Sequence, residues 1–284
     1  MGITVAVIAM GEMGAGVAGR LVQRGARVLT NLDGRSSASA GRAAEAGVEL
    51  AGDDQALVAG ADFILSIVPP ARAGDLARRL LPAIRAANPR PLFVDCNAIA
   101  PQTLQAIAAP FEAEALPFVD AGIIGGPPTR AGYNPRIYVA GERAPATLAL
   151  GDYGLDVRVV SPRTGDASAL KMAFAGTTKG TTAVMVAMML GAARAGVAPA
   201  LIEEMAHSQP GRLDSAVQGM PGVYRKAYRW DGEMEEIAKF LAPETGGSQI
   251  FQGAADLYRA LAHDVAEGAG AERLALLKGF GVRS

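Results

Sequence analysis

Residues 3–17 read ITVAVIAMGEMGAGV. An apolar run rich in β-branched residues, 3–8, passes straight into Ala9-Met10-Gly11-Glu12-Met13-Gly14. The run predicts a buried strand, and the glycine-rich turn after it predicts a strand-to-helix corner of the kind that holds a pyrophosphate. In the full G-x-G-x-x-G pattern the first glycine permits the tight turn, the second lets backbone approach the phosphates, and the third lets helix and strand pack closely. Gly11 and Gly14 take the second and third places. Ala9, the smallest side chain available, takes the first. A helix from Met13 then points its amides at the anion. The other reading of this turn is a tight corner without a ligand; the alternation of strands and helices around it favours the nucleotide.

Short apolar runs alternate with helical segments through the first half. Strands are expected at 26–31 (ARVLTN), 48–50, 62–70 (DFILSIVPP), 90–97 (RPLFVDCN), 115–124 (ALPFVDAGII), 136–141 and 155–161. Helices are expected at 13–24, 41–47 and 73–87, with Pro82 a local break in the last. Strands apolar on both faces, alternating with helices, predict an α/β fold: a Rossmann-type, doubly wound parallel sheet, with ligands at the carboxyl ends of its strands. After SPRTGD (161–166) no strand pattern occurs, and helices are expected at 166–194, 199–207, 211–219, 232–241, 247–266 and 270–279. The expected organisation is a dinucleotide-binding domain at 1–163 and an all-helical domain for substrate and dimerisation at 164–284.

Composition narrows the partners. Half of the 284 residues are apolar, 19% are charged and the net charge is −1, with no long run of one sign, which argues against nucleic acid. One cysteine, Cys96, excludes an internal disulfide and fits a reducing compartment. No targeting segment is visible, and the apolar stretch 180–193 is shorter than the ~20 residues of a membrane span. A cytoplasmic protein is expected. Because 180–193 is apolar on nearly every face, its helix should be buried all round, which predicts a homodimer through the helical domain. His207 and His263, the two histidines, lie far apart without ligand spacing, so no metal is expected.

Cofactor choice is read about 20 residues past the glycines, at the end of the second strand. The chain there is Asn31-Leu32-Asp33-Gly34-Arg35-Ser36-Ser37. An acid would hold the ribose hydroxyls of NAD, and an arginine with hydroxyls the 2′-phosphate of NADP. Asn31 is neutral, and Gly34–Ser37 is read as a small donor-rich loop. NADP is favoured, with NAD the alternative; Arg35 on a solvated loop is the reading without a ligand.

Several segments, in order and over nearly the whole chain, resemble the β-hydroxyacid dehydrogenase family, which includes 3-hydroxyisobutyrate and 6-phosphogluconate dehydrogenases. Ala9-x-Gly11-x-x-Gly14, with Glu12 and Met13 between the glycines, resembles its G-x-G-x-M-G cofactor motif. Ile67-Val68-Pro69-Pro70 resembles the strand end that passes the nicotinamide ribose, and Asp95-Cys96-Asn97 the next strand end. Val119-Asp120-Ala121-Gly122-Ile123-Ile124-Gly125-Gly126 resembles the substrate motif V-D-A-P-V-S-G-G, and Gly165 with Lys171 the motif G-x-x-x-x-x-K. The resemblance implies cofactor contacts from Gly11 to Gly14 and from Val68, Pro69 and Asn97, and substrate contacts from Gly122, Ile124, Gly125, Gly126 and Ala175. Two departures stand out: the family's serine is Ile124, and its asparagine one helical turn past the lysine is Ala175. Both remove polar contacts, so the resemblance implies a divergent branch with a bulkier or less polar substrate.

Lys171 opens the longest helical segment and shares a face with Ala175, Thr178 and Thr182. Burial there would lower its ammonium pKa and suit it to exchanging the substrate hydroxyl proton. Spacing alone fits a surface lysine equally well; the resemblance makes Lys171 the catalytic candidate. Gly125-Gly126 offers amides for a carboxylate, or simply a turn. Residues 224–231, YRKAYRWD, read as a solvated basic face, or as a cover over an anionic substrate. The expected function is an NADP-dependent dehydrogenase or reductase for a small β-hydroxy acid or related alcohol. The alternatives are an imine reductase, a group that resembles the same family but usually lacks the lysine, and a non-catalytic NADP-binding sensor.

Overall fold

A computed structural model describes residues 2–129, 132–268 and 272–281. The chain divides into two compact units, Met1–Met172 and Ala173–Ser284. The sequence pattern places the end of the sheet domain at 163; the first unit runs past that point and takes in the opening turns of the next helix.

In the first unit, β1 (Thr4–Ile8), β2 (Arg27–Thr30), β3 (Glu49–Leu50), β4 (Phe63–Ser66), β5 (Leu92–Asp95), β6 (Phe118–Ile124), β7 (Arg136–Ala140) and β8 (Asp156–Ser161) form one sheet. Its order is β3-β2-β1-β4-β5-β6-β7-β8. Pairing is parallel from β3 to β6, as expected. Beyond β6 the direction changes once: β7 runs antiparallel to β6, and β8 is parallel to β7. A parallel neighbour needs a crossover of a dozen or more residues, usually helical. The described part of 125–135 holds no helix, so the chain folds straight back along β6.

Helices α1 (Glu12–Gln23), α2 (Ser37–Glu45), α3 (Asp54–Ala59), α4 (Ala73–Ala86) and α5 (Pro101–Ala113) cover the sheet. Successive strand residues face opposite sides. Val5 and Val7 pack with Val17 and Leu21 of α1, while Ala6 and Ile8 pack with Leu57 of α3, Leu80 and Ile84 of α4 and Phe111 of α5. Neither α3 nor α5 is among the helices expected from the pattern. Pro82 does not break α4; it is exposed, so the carbonyl that loses its amide partner faces water.

The second unit is helical. After α6 (Asp166–Ala175) a π-helical turn, Gly176–Gly180, leads into α7 (Thr181–Arg194), followed by α8 (Ala198–Ser208), α9 (Pro210–Phe240), α10 (Thr245–Glu267) and α11 (Glu272–Lys278). The two helices expected at 211–219 and 232–241 are one, and exposed Pro221 again lies inside it. The turn at Gly180 is pinned by Phe251, whose ring a Cβ there would meet at 2.6 Å. Lys179 pairs with Glu233 and lies 5.5 Å from the Trp230 ring centre. Within this unit α7 is not buried all round, for Val184 is 52% and Met188 60% exposed.

Gly14 decides whether α1 can lie on the sheet. A Cβ there would fall far inside van der Waals contact distance of the Ala9 carbonyl oxygen, a backbone atom that cannot swing away. Gly14→Ala should therefore cost at least about 3 kcal/mol, the upper end for an overpacked core. Urea unfolding monitored by circular dichroism checks this; a midpoint equal to wild type would remove the argument.

Candidate active site

Strand order reverses between β1 and β4, so the loops leaving those strands part and open a crevice at their carboxyl ends. Gly11 is the N-cap of α1 at that point and has no side chain to cap the helix. A Cβ built on Gly11 would meet nothing within 4 Å. Glu12 and Met13 form the first turn of α1, one residue earlier than expected. Arg42 of α2 braces the loop by donating Nε to the Met10 carbonyl at 2.8 Å. Open space in front of a helix that carries no side-chain cap fits the diphosphate of a dinucleotide, held by the backbone at Gly11–Met13.

Across the crevice the β4 end is built from a row of buried polar groups. Register places Ser66 beside Asp95 and Asp95 beside Asp120, at the carboxyl ends of β4, β5 and β6. All are fully buried. Asn97 knits the row together: its Nδ2 donates to Ser66 Oγ and to Asp95 Oδ1, both at 2.8 Å, and its Oδ1 accepts from Val68 N at 2.7 Å. The Asn97 amide is thus engaged within the protein. It fixes the backbone of Val68. Asp95 Oδ2 is buried without a hydrogen-bond partner among the described residues. Burial pushes the Asp95 carboxyl up to about 7, and neighbouring Asp120 adds to this against the Asn97 hydrogen bonds.

At the β2 end, Asn31 is buried and Arg35 half-buried. The loop there is shorter than the sequence suggests. Ser36 is the N-cap of α2, its Oγ accepting from Ser39 N at 3.3 Å, and Ser37 is the first helical residue. Burial and then the nearby cations Arg79 and Arg72 hold the Arg35 guanidinium below its ordinary range. Arginines gathered in this way favour an anion among them, and the Asp54 carboxylate already lies 2.9 Å from Arg79 Nε. Neither Arg72 nor Arg79 is among the candidates read from the sequence.

At the β6 end Asp120 meets the start of α6. Asp120 Oδ2 accepts from Gly165 N and Ala167 N at 2.9 Å and from Ser168 N at 3.1 Å, while Oδ1 accepts from Ser168 Oγ at 2.7 Å. A carboxylate from β6 therefore caps the start of α6. One turn on, Lys171 Nζ donates to the Ile123 carbonyl at 2.7 Å. Between these anchors a Cβ on Gly122 would lie 2.9 Å from Lys171 Cβ and from Ala167 O, so Gly122 serves the close approach of α6. Ile124 is half-buried at the strand end. Gly125 has φ +129°, and the Gly126 amide donates to Tyr133 Oη at 2.8 Å, so one of the amides read as a carboxylate donor already has an acceptor. Ala175 is buried and belongs to the second unit, as do Arg225, Lys226 and Arg229 on α9. Among the described residues the trio His263, Asp264 and Glu267 has metal-ligand proximity, but both Asp264 oxygens are bonded to Arg273.

Residues 4–149 match the family model for the NAD-binding domain of 6-phosphogluconate dehydrogenase. A conserved protein of unknown function, solved and described as similar to 3-hydroxyacid dehydrogenases, is 30% identical over 92% of this chain and 99% of its own, with a TM-score of 0.65. The chain belongs to the β-hydroxyacid dehydrogenase family. Its members are NAD(P)-dependent oxidoreductases acting on CH–OH groups. Residues 192–261 match a second model, a domain of unknown function. The fold is shared with 3-hydroxyisobutyrate dehydrogenase of Mycobacterium tuberculosis, solved with L-serine (20% identity, 98% of this chain and all of that one, TM-score 0.72). It is shared also with a variant of the imine reductase of Myxococcus stipitatus solved with NAD+ (19% identity, 99% of both chains, TM-score 0.57). Among the described residues no helix of this dehydrogenase-family chain is long and apolar enough to cross a membrane.

The buried carboxyl row gives a pH dependence with a defined sign. Folded Asp95 keeps its proton up to about 7, whereas the ordinary value is 3.8. Between those values the native state binds more protons than the unfolded one, so stability falls as pH rises through the window. Asp95→Asn keeps the acceptor for Asn97 but cannot ionise. Its melting temperature should fall less across the window than that of wild type, with a residual slope from Asp120, whose carboxyl burial also raises. Parallel melting curves against pH for the two proteins would rule out this role for Asp95.

Proposed function

We propose that the chain is an NADP-dependent oxidoreductase interconverting a small β-hydroxy acid or related alcohol and its carbonyl compound. The observation that carries the reading is Lys171 Nζ held at 2.7 Å from the Ile123 carbonyl, beside the strand end that resembles the family's substrate motif. A bound nicotinamide supplies or accepts the hydride. Lys171 takes the hydroxyl proton during oxidation and returns it during reduction. Gly11–Gly14 carry the diphosphate on backbone, Val68 and Pro69 line the nicotinamide ribose, and Arg35 meets the 2′-phosphate. Arg35 beside Arg72, with neutral Asn31 at the strand end, supports NADP over NAD. Ile124 in place of serine, and a Gly126 amide engaged by Tyr133, support a substrate less polar than a free hydroxy acid with a strongly bound carboxylate. The same loss of polarity favours an imine reductase as the second reading, and Lys171 weighs against it. The exposed Val184 and Met188, one turn apart on α7, support a homodimer formed through the helical unit.

Lys171→Met should lower turnover by about 10²–10⁴-fold, the contribution of a positioned proton donor, and leave NADPH affinity nearly intact. The wild-type pH–rate profile should contain an ionisation that the variant lacks. Alcohols, ketones and imines assayed with both cofactors provide the rate; an unchanged rate in the variant refutes the role of Lys171, and turnover of imines alone selects the second reading. NADPH should bind more tightly than NADH, and Arg35→Ala should cost NADPH alone about 1–3 kcal/mol. Equal losses for the two cofactors in calorimetric titration would refute the NADP reading.

A further inference from the structure

The end of β2 carries an acid that the local sequence conceals. Asp54 is the first residue of α3, and its Oδ1 accepts from Asn31 Nδ2 at 2.8 Å. The neutral residue at the strand end is therefore backed by a carboxylate from another element. Asn31 Oδ1 is committed to Asp33 N at 2.9 Å, which fixes the amide in this orientation. A carboxylate at this place in the fold suits ribose hydroxyls and repels a 2′-phosphate. Asp54 Oδ2, however, lies 2.9 Å from Arg79 Nε of α4, and a second guanidinium nitrogen reaches Oδ1 at 3.4 Å. The carboxylate side chain is 24% exposed and the arginine 39%, so the pair is only part-screened by water.

We propose that the Asp54–Arg79 pair determines cofactor specificity: Arg79 offsets the Asp54 charge, and so lets the β2 end accept a 2′-phosphate beside Arg35. This rests on the NADP reading above. The pair contacts Asn31 and sets the charge at the subsite, so it acts through position and field. Without Arg79, the Asp54 charge is left uncompensated behind Asn31 and the site turns toward NAD. Like-charge repulsion across a part-exposed gap of this kind is on the order of tenfold in relative affinity.

The test is titration of NADPH and NADH, followed by nicotinamide fluorescence, into wild type, Arg79→Gln, Asp54→Asn and the double variant, with thermal melts to establish folding. Arg79→Gln should reduce the preference for NADPH by about tenfold. Asp54→Asn should keep or raise that preference, and the double variant should recover the wild-type ratio. A double variant as impaired as Arg79→Gln means that Arg79 itself touches the phosphate and overturns the pair as a neutralising device. An unchanged ratio in Arg79→Gln, or a lost preference in Asp54→Asn, overturns it equally. A wild-type protein that prefers NADH overturns the NADP reading itself, a result distinct from any of these.

Discussion

One carboxylate holds the catalytic candidate in place. Asp120, at zero exposure in β6, accepts from the amides of Gly165, Ala167 and Ser168 and from the Ser168 hydroxyl. An unpaired carboxylate there would be costly. The start of α6 supplies what it needs: amides that have no partner inside their own helix, and the positive end of the helix dipole. The cap and the buried charge satisfy each other. Even so, burial prevails and the Asp120 carboxyl titrates above its ordinary value. The consequence is geometric. With its first turn fixed to Asp120, α6 lies along β6, Gly122 gives it room, and Lys171 comes level with the Ile123 carbonyl. The same contacts explain why the first compact unit extends to Met172.

Asp120 is also one end of the row that passes through Asp95 to Ser66. Parallel strands in register bring like positions side by side, so polar residues at three strand ends become one buried line. Asn97 links that line to Val68, which joins the β6 end to the loop beside the crevice through hydrogen bonds and backbone alone. A carboxyl with an unpartnered oxygen inside this line is a tolerable defect only because it can keep its proton toward neutral pH.

Legibility tracks the range of the interactions involved. Ile3–Ile8 and the glycines after it are local signals, and they locate β1, α1 and the crevice. The signals for α5 are equally local: Pro101 at the first helical position, then Leu104, Ile107, Ala108 and Phe111 on one face. They are present in the sequence but stand directly after a stronger motif, whose strand end masks them. Asp53, the N-cap of α3, is a similar signal. By contrast, Asp54 beneath Asn31 and Arg79 beside Asp54 are contacts between elements far apart in sequence, and no spacing rule reaches them. The reversed direction of β7 belongs to the same class, because pairing direction depends on the path of a connection. For α7, apolar residues on every side imply complete burial, but two of them, Val184 and Met188, find no cover within their own unit.

The distribution of polarity separates what the site holds firmly from what it leaves free. Toward a dinucleotide, nearly every element is fixed by hydrogen bonds: Met10 by Arg42, Val68 by Asn97, Asn31 by Asp54. At the β6 end Lys171 is held to the Ile123 carbonyl, whereas Ile124 contributes no polar side chain and the Gly126 amide is turned to Tyr133. A site that hydrogen-bonds a substrate group rejects analogues lacking it by large factors, while an apolar wall discriminates by only ~10–200-fold per methylene. On the proposed reaction this chain would be strict about its cofactor and about the carbon that bears the reacting oxygen. Toward the remainder of the substrate it would select by shape, which makes side-chain volume in a substrate series, rather than charge, the variable to which its rate responds.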